Sequence, residues 1–155
     1  MAALPTPPTA GPALAELRIG ADPGDISQAT RWLGALADAE GWPQAMRFAL
    51  ELSVEEALAN LVMHAFAGAG HPPQVRIECH RGSGGRVVLV LIDNGVPFDP
   101  TALPEPAVPG SLEEAKIGGH GVQLMRHFLE SLSYAREGEE NRLTLVAAPP
   151  AGEPL

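Results

Sequence analysis

Val87-Val88-Leu89-Val90-Leu91-Ile92-Asp93-Asn94-Gly95-Val96-Pro97-Phe98-Asp99 is the stretch on which the fold turns. Its first six residues are apolar at every position, without alternation. Such a run predicts a strand covered on both faces or set centrally in a sheet. Just upstream, Ser83-Gly84-Gly85 is a hairpin signal. Before it, Gln74 to Arg81 alternates around Val75, Ile77 and Cys79, as a half-buried strand does. The two segments therefore read as an antiparallel pair, Gln74–Arg81 with Arg86–Ile92.

Working outward, the helical period appears on both sides of this pair. Asp22-Pro23-Gly24-Asp25 is turn chemistry suited to capping a helix. That helix is expected from about Ile26 to Glu40, with Ile26, Ala29, Leu33, Leu36 and Ala37 on one face. Gly41-Trp42-Pro43 stops it. A second helix is expected from Gln44 to Ala67, ended by Gly68, with a loop from Gly68 to Pro73. Leu14, Leu17 and Ile19 suggest a short edge strand. Downstream of Phe98 the rhythm collapses: five prolines fall between Pro97 and Pro109. A long stretch of that kind inside a compact domain reads as a functional loop or lid, here at about 97–117. A third helix follows Gly121, with Val122, Met125, Phe128, Leu129 and Leu132 as its stripe. Two closing strands are expected near Ser133–Arg136 and Arg142–Ala147. The organisation is one domain over 14–148, between a proline-rich arm (1–13) and a tail (149–155), with no internal repeat.

The chain has 155 residues, 45% of them hydrophobic and 19% charged. That suffices for one domain with a real core and is short for two. The net charge is −9 and no stretch concentrates Lys or Arg. Nucleic-acid and anionic-membrane partners both need clustered cations, so the reading is no nucleic acid and no membrane. Cys79 is the single cysteine, which rules out an internal disulfide and fits a reducing compartment. No apolar run reaches membrane-spanning length, and residues 1–12 have neither a basic n-region nor an h-region. Cytoplasmic placement is the simplest expectation.

Three short segments carry chemistry. Glu56 and Asn60 stand four apart on the second helix and share a face with Ala49, Leu52, Ala59 and Met63. Burying polar groups among such neighbours without partners costs roughly 1–3 kcal/mol or more. An Asn carbonyl suits Mg²⁺, Glu56 could then orient or deprotonate a hydroxyl, and His64 lies one turn further along. The plain alternative is two half-exposed helix residues, since E-x-x-x-N is a frequent accident. Glu51 and Glu55 read as solvated charges. In the second segment, Asp93 at the end of a buried strand would accept an exocyclic amine such as that of adenine, with Gly95 allowing a flat base to approach. An ordinary Asp-Asn-Gly turn fits those residues equally well. In the third, Ile117-Gly118-Gly119-His120-Gly121-Val122 leads into a helix whose free N–H groups favour an anion. Lys116, the only lysine, stands beside it. A flexible hinge is the alternative there.

Other phosphate and metal motifs fail. There is no G-x-x-x-x-G-K-[ST], so there is no P-loop. Gly119-His120-Gly121 lacks the third glycine at Leu124 and follows a loop, so the dinucleotide fingerprint fails as well. His71, Cys79 and His80 have no zinc spacing.

The order of the three segments is more specific than any one of them. E-x-x-x-N on a helix, a strand running into D-x-G-x-P-F-D, a long loop, then G-x-G opening a helix: this resembles the GHKL ATPase superfamily of gyrase, MutL and the histidine kinases, over roughly Gln44 to Ala147. The short chain and the wording Asp93 to Pro100 look most like the small anti-sigma-factor serine kinases of the RsbW and SpoIIAB type. The resemblance implies an α/β (α+β) two-layer, Bergerat-type sandwich, with helices on one face of a mixed, mostly antiparallel sheet. It implies ATP and Mg²⁺ as cofactors, Glu56 as catalytic base and Asn60 on the metal. Asp93, Gly95, Val96 and Pro97 would surround the adenine. Lys116, Gly118, Gly119, His120, Gly121 and Val122 would lie at the phosphates, with His64 nearby. Its usual partners are a STAS-domain antagonist that carries the substrate serine and a sigma factor, held by a kinase homodimer. Val122 stands where leucine is common, and Pro104, Pro106 and Pro109 make the loop richer in proline than is usual.

Two functions compete on this reading. One is a protein serine/threonine kinase. The other is a nucleotide-gated binding module of the same fold, without phosphotransfer, whose partner is a phosphatase or another regulator. The intact Glu56 favours the first. A sensor histidine kinase core fits less well, because no histidine lies on an upstream dimerisation helix. A structural domain without nucleotide would leave three correctly ordered segments to chance.

Overall fold

The all-apolar run becomes β3 (Val87–Asp93), every residue of which is buried. The computed structural model describes residues 13–102 and 121–150. The arm to residue 12, the loop 103–120 and residues 151–155 lie outside them. The other strands are β1 (Ala15–Ile19), β2 (Val75–Arg81), β4 (Ser131–Glu137) and β5 (Glu140–Ala147). They form one open sheet in the order β1-β2-β3-β5-β4. Every pairing among these strands is antiparallel, and β3 takes the middle place that its composition demands.

Among the described residues three helices accompany the sheet: α1 (Pro23–Glu40), α2 (Gln44–Asn60) and α3 (Gly121–Phe128). α1 begins three residues before the apolar period does. Pro23 sits in its first turn, and the Asp25 carboxylate accepts the Asp22 N–H at 3.1 Å, a capping arrangement in which a fixed proline φ costs nothing. Beyond Gly41, the Trp42 N–H donates to the Ala37 carbonyl at 3.0 Å and closes the helix.

α2 stops at Asn60, earlier than the expected Ala67. The chain continues as a π-helical turn, Leu61–Ala65, in which the Phe66 N–H reaches back five residues to the Leu61 carbonyl at 2.8 Å. Hydrophobic period alone does not distinguish such a turn from a continued α-helix. The closing strand also starts earlier than expected, at Glu140 rather than Arg142.

All three helices pack on one face of the sheet. Ala29, Leu33, Leu50, Val54, Val122 and Met125 from the helices meet Ile77, Leu89, Leu91 and Leu145 from the strands. The two-layer sandwich is therefore as expected. The opposite face of β3 carries a second apolar stripe, Val88, Val90 and Ile92 with Val146. It is flanked in register by Arg76, Glu78 and His80 on β2 and by Arg142 and Thr144 on β5. The ion pairs Arg76–Glu78 (3.1 Å), His80–Glu78 (3.1 Å) and Arg142–Glu137 (2.9 Å) tie these long side chains together, and their stems can cover apolar surface.

Candidate active site

Glu56 and Asn60 are half-buried on α2, one turn apart. Burial pushes the Glu56 carboxyl above its usual range, and the neighbouring charge of Glu55 adds to this. The Asn60 side-chain nitrogen is buried without a hydrogen-bond partner among the described residues. An unpaired buried amide is costly, so its Nδ2 calls for an acceptor from outside the described residues.

The π turn that follows Asn60 links this helix to the end of β3. Its last residue, Ala65, accepts the Val96 N–H at 2.8 Å. Gly95 is the near neighbour: a Cβ placed on it would lie 2.6 Å from the Ala65 carbonyl oxygen and 2.8 Å from the Ala65 Cβ. Only a residue without a side chain fits there. His64, on the same turn, is exposed and stacks on Phe98 with ring centroids 4.6 Å apart and planes at 18°. The first two segments thus meet directly.

Asp93 is 3% exposed at the end of β3. Its Oδ1 accepts the Gly95 N–H at 2.9 Å and the Asn141 Nδ2 at 2.9 Å. Desolvation pushes the Asp93 carboxyl up, and these two hydrogen bonds oppose the rise. The rest of the segment is held as a rigid turn. Asn94 accepts the Gln74 N–H at 2.9 Å and donates to the Pro72 carbonyl at 3.1 Å. Asp99 accepts the Thr101 N–H at 2.8 Å, and Arg126 of α3 donates to the Thr101 carbonyl at 2.7 Å. Val96 and Pro97 are exposed beside Asp93. The turn reading of this segment holds, and the turn carries a buried carboxylate at Asp93.

The third segment enters through Gly121, the first residue of α3. A Cβ on Gly121 would fall 2.5 Å from the Glu56 Oε2 and 3.3 Å from its carboxyl carbon. The Glu56 carboxylate therefore sits at the N-terminus of α3, where the first N–H groups of a helix lack intrahelical partners. Val122 is buried in the core. Lys116, Gly118, Gly119 and His120 lie outside the described residues, as does the expected loop from 103 onward.

Sequence reasoning missed Asn141. It is 2% exposed, lies opposite Asp93 in the β3–β5 ladder, and joins Asp93, Val96, Phe98, Tyr134 and Arg136 in one hydrogen-bonded cluster. The signal was available. Asn141, Leu143, Leu145 and Ala147 share one parity, so an amide heads an otherwise inward-facing apolar row.

The Asn60 side chain carries a carbonyl oxygen of the kind that a magnesium ion shared with a polyphosphate would take. Mg²⁺ takes one or two protein oxygens and completes its shell with phosphates and water. Asn60 supplies one such group, and no described residue fixes the orientation of its amide. Among the described residues no group of three His, Cys, Asp or Glu is placed to hold a metal by itself. Thiol chemistry is also remote: desolvation raises the buried Cys79 thiol to about 11. No described helix is long and apolar enough to cross a membrane.

Comparison with known proteins agrees with this fold. The profile of the histidine kinase-like ATPase domain matches residues 19–147. The serine/threonine-protein kinase BtrW of Bordetella bronchiseptica is 41% identical over 121 residues, which is 78% of this chain and 84% of that kinase. Among solved structures, the RsbU and RsbW domains of a Mycobacterium tuberculosis protein superpose with a TM-score of 0.60 at 13% identity, covering 86% of this chain. A blue-light activated histidine kinase of Erythrobacter litoralis gives 0.50 at 16% identity, covering 78%. The chain spans 32% and 40% of the length of those two structures, respectively, and at such identities they speak for the fold. With a family profile over most of its length, a kinase relative at 41% identity and the matching sandwich, the chain belongs to the histidine kinase-like ATPase domain family.

Proposed function

We propose that this protein is an ATP-dependent protein serine/threonine kinase. We take it to act as an anti-sigma factor in a cytoplasmic partner-switching module, phosphorylating a serine of a STAS-domain antagonist. The observation that carries the reading is the contact of Glu56, one turn before Asn60 on α2, with the N-terminus of α3, and the π turn after Asn60 that meets the segment of the buried Asp93 carboxylate. The kinase BtrW, similar over most of its length, supports the reaction class.

In this reading Asp93 accepts the amino group of adenine, with Gly95, Val96 and Pro97 beside the base. The N–H groups at the start of α3 face the terminal phosphates, together with Lys116, Gly118, Gly119, His120 and Gly121. Bound magnesium would neutralise charge at the transferring phosphoryl group, with Asn60 as its protein ligand. Glu56 accepts the proton of the substrate hydroxyl. The serine oxygen forms a bond to the γ-phosphorus, the bond to the β–γ bridging oxygen breaks, and ADP leaves. A carboxyl held above its usual range by burial is a stronger base once ionised, which suits that role. His64 borders the site on its exposed side. A homodimer and a sigma factor complete the proposed assembly.

The test is transfer of label from γ-labelled ATP to a purified STAS-domain antagonist. Phosphoserine on that partner, dependent on Glu56, is the expected result. Tight ATP binding with no transfer would overturn the kinase reading and leave a nucleotide-gated binding module.

A further inference from the structure

Across the β3–β5 ladder the residue facing Asp93 is Asn141. Its amide has one orientation. Oδ1 accepts from the Tyr134 hydroxyl, from the Phe98 N–H at 3.3 Å and from Arg136 at 3.2 Å. Nδ2 is thereby turned towards Asp93 Oδ1 (2.9 Å) and the Val96 carbonyl (2.9 Å), and both of its hydrogens are used. Arg136 also donates to the Gly95 carbonyl at 2.8 Å, so the same cluster fixes the backbone next to the carboxylate.

The consequence falls on Asp93. The Gly95 N–H and Asn141 Nδ2 both reach the same oxygen, Oδ1. No described residue donates to Oδ2. A carboxylate with one oxygen saturated by fixed donors has a fixed plane, and its second oxygen is an acceptor of fixed direction.

We propose that Asn141 is the positioning residue that sets base specificity, by locking Asp93 so that Oδ2 accepts from a 6-amino purine and rejects a 6-oxo purine. The proposal rests on the reading of Asp93 as the adenine acceptor. A 6-oxo purine would bring its own acceptor oxygen against the carboxylate, and a buried site built for a donor discriminates strongly against a ligand that lacks one. A carboxylate free to rotate could turn away from that oxygen. One held by Asn141 cannot.

Calorimetric titration of the full chain with ATP and with inosine triphosphate tests this. Wild type is expected to prefer ATP, and Asp93→Asn to lose the preference. Asn141→Leu keeps about the volume and removes the donor to Asp93. It should narrow the ATP-to-inosine ratio about tenfold, one hydrogen bond's worth of discrimination. Asn141→Ser is the companion should Asn141→Leu not fold, and it should narrow the ratio in the same direction. If both nucleotides weaken in equal proportion, or the ratio stays at the wild-type value, Asn141 is a structural residue only and the proposal is overturned. If wild type itself shows no preference for ATP, the adenine reading of Asp93 fails first, a result distinct from either.

Discussion

The side chain of Glu56 lies directly against Gly121: a Cβ built on that glycine would stand 2.5 Å from Oε2 and 3.4 Å from the Glu56 Cβ. This one contact joins α2 to the start of α3, and so the proposed base to the proposed phosphate cradle. The clashing atoms belong mostly to the far end of a flexible side chain, so an added methyl would displace the carboxylate rather than the backbone. Gly121→Ala is therefore expected to fold normally, since alanine is the better helix former by about 1 kcal/mol. Its phosphotransfer rate should fall by about tenfold or more through misplacement of the base. Melting temperature and label transfer, measured on the same preparation, check both halves.

The position of Glu56 also fixes a pH dependence. Burial and the charge of Glu55 raise its folded-state pKa, so the native state holds a proton there at pH values where the unfolded chain has released it. Stability from this group is thus present at low pH and declines as pH rises through the raised pKa. Activity should run the other way: a base must be ionised, so turnover rises with pH across an inflection above the ordinary glutamate range. Glu56→Gln is expected to melt at or above the wild-type temperature near neutral pH, while its turnover falls about a hundredfold or more. A pH–rate profile of wild type and thermal melts of both proteins across pH read this out.

How much of this was legible in the sequence varies from residue to residue. The central strand was plain, because an unbroken apolar run has one good home in a sheet. Glu56 and Asn60 could be placed on one face by spacing alone. The end of α2 could not, because Leu61–Ala65 continues an apolar, helix-compatible pattern while the backbone changes its hydrogen bonding to a five-residue reach. That change carries Ala65 to Gly95. The sequence reading expected a flat base near this glycine, and the close neighbour that the fold supplies is the Ala65 backbone. Asn141 was hidden for a different reason. Its importance lies in facing Asp93 across a ladder between strands 48 residues apart in sequence, and one-dimensional pattern does not carry register.

Gly95→Ala tests the junction between the helix and the carboxylate. The atoms that an added Cβ would meet are the Ala65 carbonyl oxygen at 2.6 Å, its Cβ at 2.8 Å and its carbonyl carbon at 2.9 Å. All belong to a turn whose Ala65 is fully buried, so nothing can swing aside. The methyl must push the two segments apart and stretch the bond from the Val96 N–H to Ala65. Overpacking of this kind costs about 1–3 kcal/mol. Denaturant unfolding should show that loss, and nucleotide affinity should drop with it because Asp93 and Asn60 lose their common anchor.

Asn60 offers the opposite relation between stability and function. Its buried nitrogen has no partner among the described residues, so as far as those residues go the amide contributes a desolvation cost without a compensating bond. Asn60→Ala removes that cost and raises helix propensity by roughly 0.5 kcal/mol. The variant is expected to be as stable as wild type or slightly more so, and to need about tenfold more magnesium for nucleotide binding and turnover. Chelation of divalent ions should likewise abolish turnover in wild type yet leave the melting temperature of the nucleotide-free chain unchanged. The described residues form no three-ligand site on which folding could depend. Titration of nucleotide binding against magnesium, with melts in the presence and absence of chelator, measures both effects. A large drop in the stability of Asn60→Ala would place Asn60 among the structural residues of α2 and remove it from the metal site.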